Sequence, residues 1–429
     1  MEIIRTRPEN RALGIRAVEG STNDIDPAAV TEAVPSSDGL QARAVSTPAC
    51  ASGIAPPNGS RSNGRTSAQI HRPGDSKKIF ANSAESARVY AALDLGTNNC
   101  RLLVARPSRR GFMVVDAFSR IIRLGEGVTA SGQLGDAAMS RTWDALKVCA
   151  AKMRRHSVAR SRLVATEACR IARNGPEFLD RIDRELGLSI EILSRESEAK
   201  LAVSGCATLL DIDSDMALVF DIGGGSSELV WLDLSKRRGT WRRSLGDRLE
   251  AMNCIAGWTS LPVGVVTLAE RFGGRHLTSA GFEAMVGSVM DLLQPFEAEH
   301  GFRERIANGR VHMLGTSGTV TTVAGIRLGL PRYDRNRVDG CWLETEEARA
   351  VTYDLLSRTH EQRIAEPCIG KDRAELVLAG CAILEGLLRM WPTKRLRVAD
   401  RGLREGMLAT MMAEDGHYRG SPRREQRPS

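Results

Sequence analysis

The sequence predicts an α/β protein built from two duplicated halves that face each other across a cleft. Three observations lead there. Asp221-Ile222-Gly223-Gly224-Gly225-Ser226-Ser227-Glu228 lies between the apolar runs Met216 to Phe220 and Leu229 to Leu232, which is the pattern of a β-hairpin with a glycine turn. The same pattern stands 127 positions earlier, where Asp94-Leu95-Gly96 leads to Leu102-Leu103-Val104 as Asp221-Ile222-Gly223 leads to Leu229-Val230-Trp231. A similar order of strands and helices follows each hairpin, which favours duplication over chance likeness of two short turns.

Taken in order, residues 1–86 are rich in Ser, Pro, Ala and Gly and predict a disordered extension. The first half, 87–211, opens with strands at Val89 to Leu95, Arg101 to Ala105 and Phe112 to Phe118. A helix follows at Asp136 to Arg155, where Ala138, Trp143, Leu146, Ala150 and Met153 share a face. Then come a strand at Leu163 to Thr166, a helix at Pro176 to Leu186, a strand at Ile190 to Leu193 and a helix at Glu196 to Leu209. The second half, 212–415, has strands at Met216 to Phe220 and Leu229 to Leu232 and a weaker one near Thr240 to Arg243. Helices at Gly264 to Phe272 and Ala280 to Glu299 precede a strand at Val311 to Leu314. Helices at Thr319 to Ile326, Glu344 to Ser357 and Lys371 to Met390, a strand at Leu396 to Ala399 and a helix from Leu403 complete it. That last helix is expected to pack on the first half, and 416–429 is a disordered basic tail.

The composition narrows the function. Hydrophobic residues at 42% and charged residues at 26% of a 429-residue chain are those of a globular protein. Aromatics at 4% supply few stacking rings, so no nucleic-acid partner is expected; the net charge of +8 suits another polyanion as well as a solubilising surface. The nine cysteines never form C-x-x-C, which argues against zinc and disulfide frameworks. No apolar run has membrane-spanning length and the first residues lack a signal-peptide core, so the expected place is the cytoplasm, away from membranes.

The chemistry centres on the turns. Gly223, Gly224 and Gly225 leave their N–H groups uncovered and free to take positive φ, as a nest around phosphate oxygens requires, and Ser226 and Ser227 add hydroxyls. Alone, such a hairpin is equally an ordinary tight turn. Its counterpart Gly96-Thr97-Asn98 makes two phosphate-binding jaws, with Mg²⁺ held between Asp94 and Asp221. Arg101, just past the first turn, is placed for a bidentate phosphate contact. Gly315-Thr316-Ser317-Gly318 ends a strand and opens a helix, either a second kind of anion site or a plain capped helix start. Glu167 ends the strand Leu163 to Thr166, at the edge where α/β clefts hold ligands, and is the leading base for activating water. Glu196 and Glu198 open the helix after the next strand; a favourable helix-dipole contact explains Glu198 as well as a site role does.

Six stretches in order resemble the exopolyphosphatase/guanosine-pentaphosphate phosphohydrolase (Ppx/GppA) family: Ala92 to Asn98, Ile122 to Gly127, Ala165 to Ala168, Asp221 to Glu228, Gly315 to Thr322 and Val398 to Gly406. The resemblance implies two ribonuclease-H-like domains, the fold of the actin, sugar-kinase and heat-shock ATPase superfamily. It also implies Mg²⁺-dependent release of terminal phosphate from inorganic polyphosphate, or alternatively of the 5′ γ-phosphate from guanosine pentaphosphate, and a homodimer. By the same likeness Glu167 acts on the catalytic water, Glu196 supports the site, and Arg101 and Arg141 contact phosphate. Thr97 stands where the family usually has Ser, and Asp339 where it often has His, which leaves a phosphate contact at 339 open. The helical C-terminal domain of the long members is expected to be absent, so processivity on long polymers is open. Outside this chemistry, the rival readings of the same fold are an ATP-binding kinase, a filament-forming protein and a non-catalytic polyphosphate or nucleotide sensor. Glu167 and Glu196 argue against the sensor.

Overall fold

The structure, a computed structural model, describes residues 88–108, 111–211, 213–236 and 251–417. In the first sheet β1 (Tyr90–Leu95) is covered on both faces, which is why its residues form an almost unbroken apolar run rather than an alternation. It pairs antiparallel with β2 (Asn99–Ser108) and parallel with β4 (Arg160–Ala165). With β3 (Gly111–Ile121) and the short β5 (Glu191–Ile192), the order is β3-β2-β1-β4-β5.

The second sheet contains β6 (Met216–Ile222), β7 (Ser227–Asp233), β8 (Ile255–Leu261), β9 (Val311–Thr316), β10 (Trp342–Glu344) and β11 (Arg395–Ala399), in the order β10-β11-β9-β6-β7-β8. Read from the far edge, β8-β7-β6-β9-β11 repeats the first sheet's order, and β10 is an added antiparallel edge strand. The duplication inferred from two hairpins is therefore a duplication of topology. Both sheets share one strand order, the duplicated ribonuclease-H-like topology that the resemblance implies. The strand expected near 240–243 lies outside the described residues. The third strand of the second meander is Ile255–Leu261, whose Gly257 and half-exposed Trp258 blur the period-two signal.

The helices that frame the cleft are α1 (Asp136–Arg155), α2 (Glu167–Ile171), α3 (Gly175–Leu186), α4 (Arg195–Cys206), α5 (Val265–Phe272), α6 (Ser279–His300), α7 (Gly318–Arg327), α8 (Val377–Met390) and α9 (Leu403–Glu414). Helices α1 and α3 cover one face of the first sheet, burying Leu146, Cys149, Phe178 and Ile182 against Leu93, Leu95 and Leu102. Helices α6 and α8 cover the outer face of the second around Trp231, Phe302 and Trp391. The inner faces are covered by exchange. Helix α4 follows the first sheet but packs Ala199, Val203 and Cys206 on Ala217, Val219 and Val230 of the second. Helix α9 follows the second sheet but packs Met407, Leu408, Met411 and Met412 on Tyr90, Ala92 and Leu103 of the first. The two helices cross so closely that a Cβ on Gly205 would overlap the Gly402 carbonyl. Among the described residues no helix is long and apolar enough to cross a membrane.

Candidate active site

Both hairpins close in the same way. Gly96 N–H donates to the Asn99 carbonyl and Gly223 N–H to the Ser226 carbonyl, each at 2.9 Å. In register, Asp94 faces Arg101 across the first strand pair and Asp221 faces Glu228 across the second. The two turns meet. A Cβ on Gly225 would lie 2.9 Å from Thr97 Oγ1 and 3.1 Å from Glu167 Cγ, so this residue is glycine because of a close approach. None of Gly223, Gly224 and Gly225 has positive φ, which corrects the expected nest conformation.

Two adjoining cavities, of about 130 Å³ and about 330 Å³, share Asp94, Arg101, Asp221, Ser317 and Gly318 in their walls. The smaller also takes in Gly96, Thr97, Asn98, Glu167, Gly223, Gly224, Gly225 and Ser226; the larger takes in Thr316. The structure thus brings most of the expected site residues to one place.

Four expected residues stand elsewhere. Ser227 is buried with its hydroxyl donating to the Val263 carbonyl at 2.7 Å. Gly315 packs on the Phe220 ring, inside the sheet layer. Arg141 donates from Nε to the Ile122 carbonyl at 2.8 Å and from Nη2 to Glu126 at 2.9 Å. It buttresses the 122–126 loop, whose Ile122, Arg123 and Gly125 N–H groups hold the carbonyls of Asn98 and Thr97. Glu196 is on the outer face of α4, paired with Lys200 at 2.7 Å with both side chains about half exposed. Positions 196 and 198 are two apart on a helix, about 200° around its axis, so only one can face the cleft. That one is Glu198, which lines the smaller cavity.

Glu167 opens α2 with its side chain 6% exposed. Arg170 Nη1 donates to its Oε2 and Arg195 Nη2 to its Oε1, both at 2.7 Å. Arg170 also donates to Glu198 at 2.5 Å, and Glu228 accepts from the Ser226 and Ser260 hydroxyls at 2.7 and 2.9 Å. Burial pushes the carboxyls of Asp94, Glu198 and Glu228 up, and that of Asp221 to about 7, with neighbouring carboxylates adding to the effect on all four. Facing them, Arg101 and Arg404 have no hydrogen-bond partner among the described residues, and burial pulls Arg404 down. On the far wall Asp339 grips Arg401 through Nε and Nη2 and accepts the Asp400 N–H at 3.0 Å. Its carboxylate thus fixes the 400–402 loop.

Neither Asp94 nor Asp221 has a hydrogen-bond partner among the described residues, although both are half-buried and line both cavities. Hard oxygen donors left unsatisfied in a cavity fit Mg²⁺. No group of three or more ligating side chains is assembled among the described residues. One or two carboxylates completed by phosphate oxygens and water is how Mg²⁺ is commonly bound with phosphorylated substrates.

Sequence reasoning did not single out Glu228, Arg170 or Arg404 as site residues. Glu228 and Arg404 sat inside quoted motifs, and the hairpin alignment pairs position 228 with position 101, a signal that could have found the first.

The model of the Ppx/GppA phosphatase family matches residues 103–415. A guanosine-5′-triphosphate,3′-diphosphate pyrophosphatase of Photobacterium profundum is 27% identical over 331 residues, 77% of this chain; the chain spans 60% of that relative's length. A Ppx/GppA family member from Aquifex aeolicus superposes with a TM-score of 0.60 at 27% identity, over 77% of this chain and 99% of that one. An exopolyphosphatase from Cytophaga hutchinsonii shares the fold, with a TM-score of 0.64 at 24% identity, over 76% of this chain and 98% of that one.

Proposed function

Since the chain belongs to the Ppx/GppA phosphatase family, we propose that it releases terminal orthophosphate from inorganic polyphosphate, with Glu167 directing the attacking water. The observation that carries this reading is the contact of Glu167 with Gly225. It sets a buried carboxylate at the meeting point of both hairpins, in the cavity that Asp94 and Asp221 line.

The terminal phosphate rests in the smaller cavity, against the edge where the Gly96-Thr97-Asn98 turn and the Gly224-Gly225 turn meet. Each Glu167 oxygen keeps a lone pair beyond the arginine bond it accepts, so it can take a water hydrogen. The water oxygen bonds to the terminal phosphorus, the bridging P–O bond breaks, and the water proton passes to Glu167. The shortened chain leaves with the bond's electron pair, and the unpaired guanidinium of Arg101 stabilises that charge. Mg²⁺ at Asp94 and Asp221 would offset phosphate charge and lower the cost of gathering anions in one cleft.

One feature favours a second reading, hydrolysis of guanosine pentaphosphate. A cavity of about 470 Å³ adjoins Asn98, and its walls combine Val266, Ala269 and Leu376 with Arg123, Arg275 and His276. An apolar surface edged by basic side chains suits a nucleobase carrying phosphates. The test is phosphate release from long polyphosphate and from guanosine pentaphosphate side by side, with and without Mg²⁺. Faster Mg²⁺-dependent release from polyphosphate supports the first reading, faster release from the nucleotide supports the second, and turnover of neither removes both.

A further inference from the structure

Two arginines donate to Glu167, and they are held very differently. Arg170 is 14% exposed and spends all three nitrogens, on the Leu193 carbonyl, on Glu167 and on Glu198. Arg195 is 42% exposed and spends one, on Glu167 Oε1 at 2.7 Å. It is the first residue of α4, directly after the Ser194 cap, and the charges of Glu228 and Glu198 also act on it. Arg170 is locked in place, whereas Arg195 can be exchanged. A phosphoryl group offers a guanidinium two oxygens in fork geometry and more charge than the single carboxylate oxygen it now holds.

We propose that Arg195 is a substrate-exchanged clamp. Without a polyanion it holds Glu167 Oε1. A condensed phosphate entering the cleft takes the guanidinium over as its contact to the phosphoryl group behind the terminal one, and Oε1 is left to the attacking water. Only that last clause rests on the proposed role of Glu167; the binding role of Arg195 stands apart from it.

The probe is imidodiphosphate, whose P–N–P bridge carries the terminal and adjoining phosphoryl groups together. Its affinity is measured by calorimetry with Mg²⁺ on the full chain and on Arg195→Ala, Arg195→Lys, Glu167→Gln and the Arg195→Ala/Glu167→Gln double variant. Arg195→Ala should weaken binding by about tenfold or more, and Arg195→Lys should regain part of the loss. Glu167→Gln should bind several-fold more tightly than wild type, because the carboxylate no longer competes for Arg195, and the double variant should lose that gain. In turnover, the Arg195→Ala loss should fall on KM more than on kcat. Affinity of Arg195→Ala within twofold of wild type overturns the proposal. So does a Glu167→Gln gain that persists in the double variant, since it then reflects simple removal of charge. Full turnover by Glu167→Gln would instead remove the water-directing role of Glu167 and leave the binding results to judge Arg195.

Discussion

Arg101 and Glu228 occupy the same position in two superposable hairpins, each directly across the strand pair from the aspartate that leads into the turn. Duplication has kept the frame and reversed the charge. The first jaw offers Asp94 with a free guanidinium, and the second offers Asp221 with a carboxylate held by Ser226 and Ser260. One jaw can attract phosphate while the other adds to the negative charge that draws a cation.

Arg101→Gln should therefore lower kcat/KM by about 10² to 10³, the range for removing one preorganised donor at a developing charge. Because Arg101 makes no hydrogen bond to the described residues, the thermal midpoint should change little. Steady-state phosphate release together with a melting curve checks both halves of the expectation.

Gly225→Ala should harm the site through shape alone. Its Cβ would sit 2.9 Å from Thr97 Oγ1 and 3.1 Å from Glu167 Cγ, forcing the two turns apart. Overpacking of this kind costs about 1–3 kcal/mol. The variant should combine a lower unfolding free energy with weaker imidodiphosphate binding, read by denaturant titration and calorimetry; unaltered binding would mean that the turns need not touch.

Glu196 and Glu198 are set apart by about half a turn of helix. Glu196→Ala removes an exposed pair with Lys200 and should change stability by less than about 0.5 kcal/mol, with phosphate release unaltered. Glu198→Ala leaves Arg170 with one anionic partner fewer beside Glu167 and should depress turnover strongly. The reverse ranking in a phosphate-release assay would contradict the placement of α4.

His312 on β9 gives a pH dependence far from the site. Its Nε2 accepts the Asp211 N–H at 3.0 Å, and burial pulls its pKa down from 6.5 to about 4. Between those values the unfolded chain binds a proton that the folded chain does not. The stability this provides is complete above pH 6.5 and is lost as pH falls towards about 4. His312→Gln keeps an acceptor and removes the linkage. Between pH 7 and pH 5 the wild type should lose about 2 kcal/mol more than this variant in urea unfolding.

The parts of the molecule legible in the sequence were those set by local chemistry. Apolar runs broken by glycine turns gave both hairpins, and the constant offset between them gave the duplication without any knowledge of the sheets. Glu167 was legible because it follows directly on a strand whose end must border the cleft. What stayed hidden depended on direction or on distant partners. The face of α4 decides between Glu196 and Glu198, and a two-residue spacing read without helix phase could not. The family likeness put a phosphate contact on Arg141, yet the carbonyl of Ile122 and the carboxylate of Glu126 take it. The glycine triplet was read for its φ freedom, whereas Gly224 and Gly225 are held to glycine by Thr97 and Glu167, which lie far away in sequence.

The exchange of α4 and α9 has a consequence for how the chain can come into being. A cut near residue 211 would separate two sheets, but each piece would lose a cover: the second sheet would give up Ala199, Val203 and Cys206, and the first would give up Met407, Leu408, Met411 and Met412. Neither fragment would be self-sufficient. During synthesis the first sheet must wait, with Tyr90, Ala92 and Leu103 bare, until nearly the last described residues leave the ribosome. Maturation of this protein should thus wait on α9, and a chain truncated before Leu403 should be handled by the cell as unfinished.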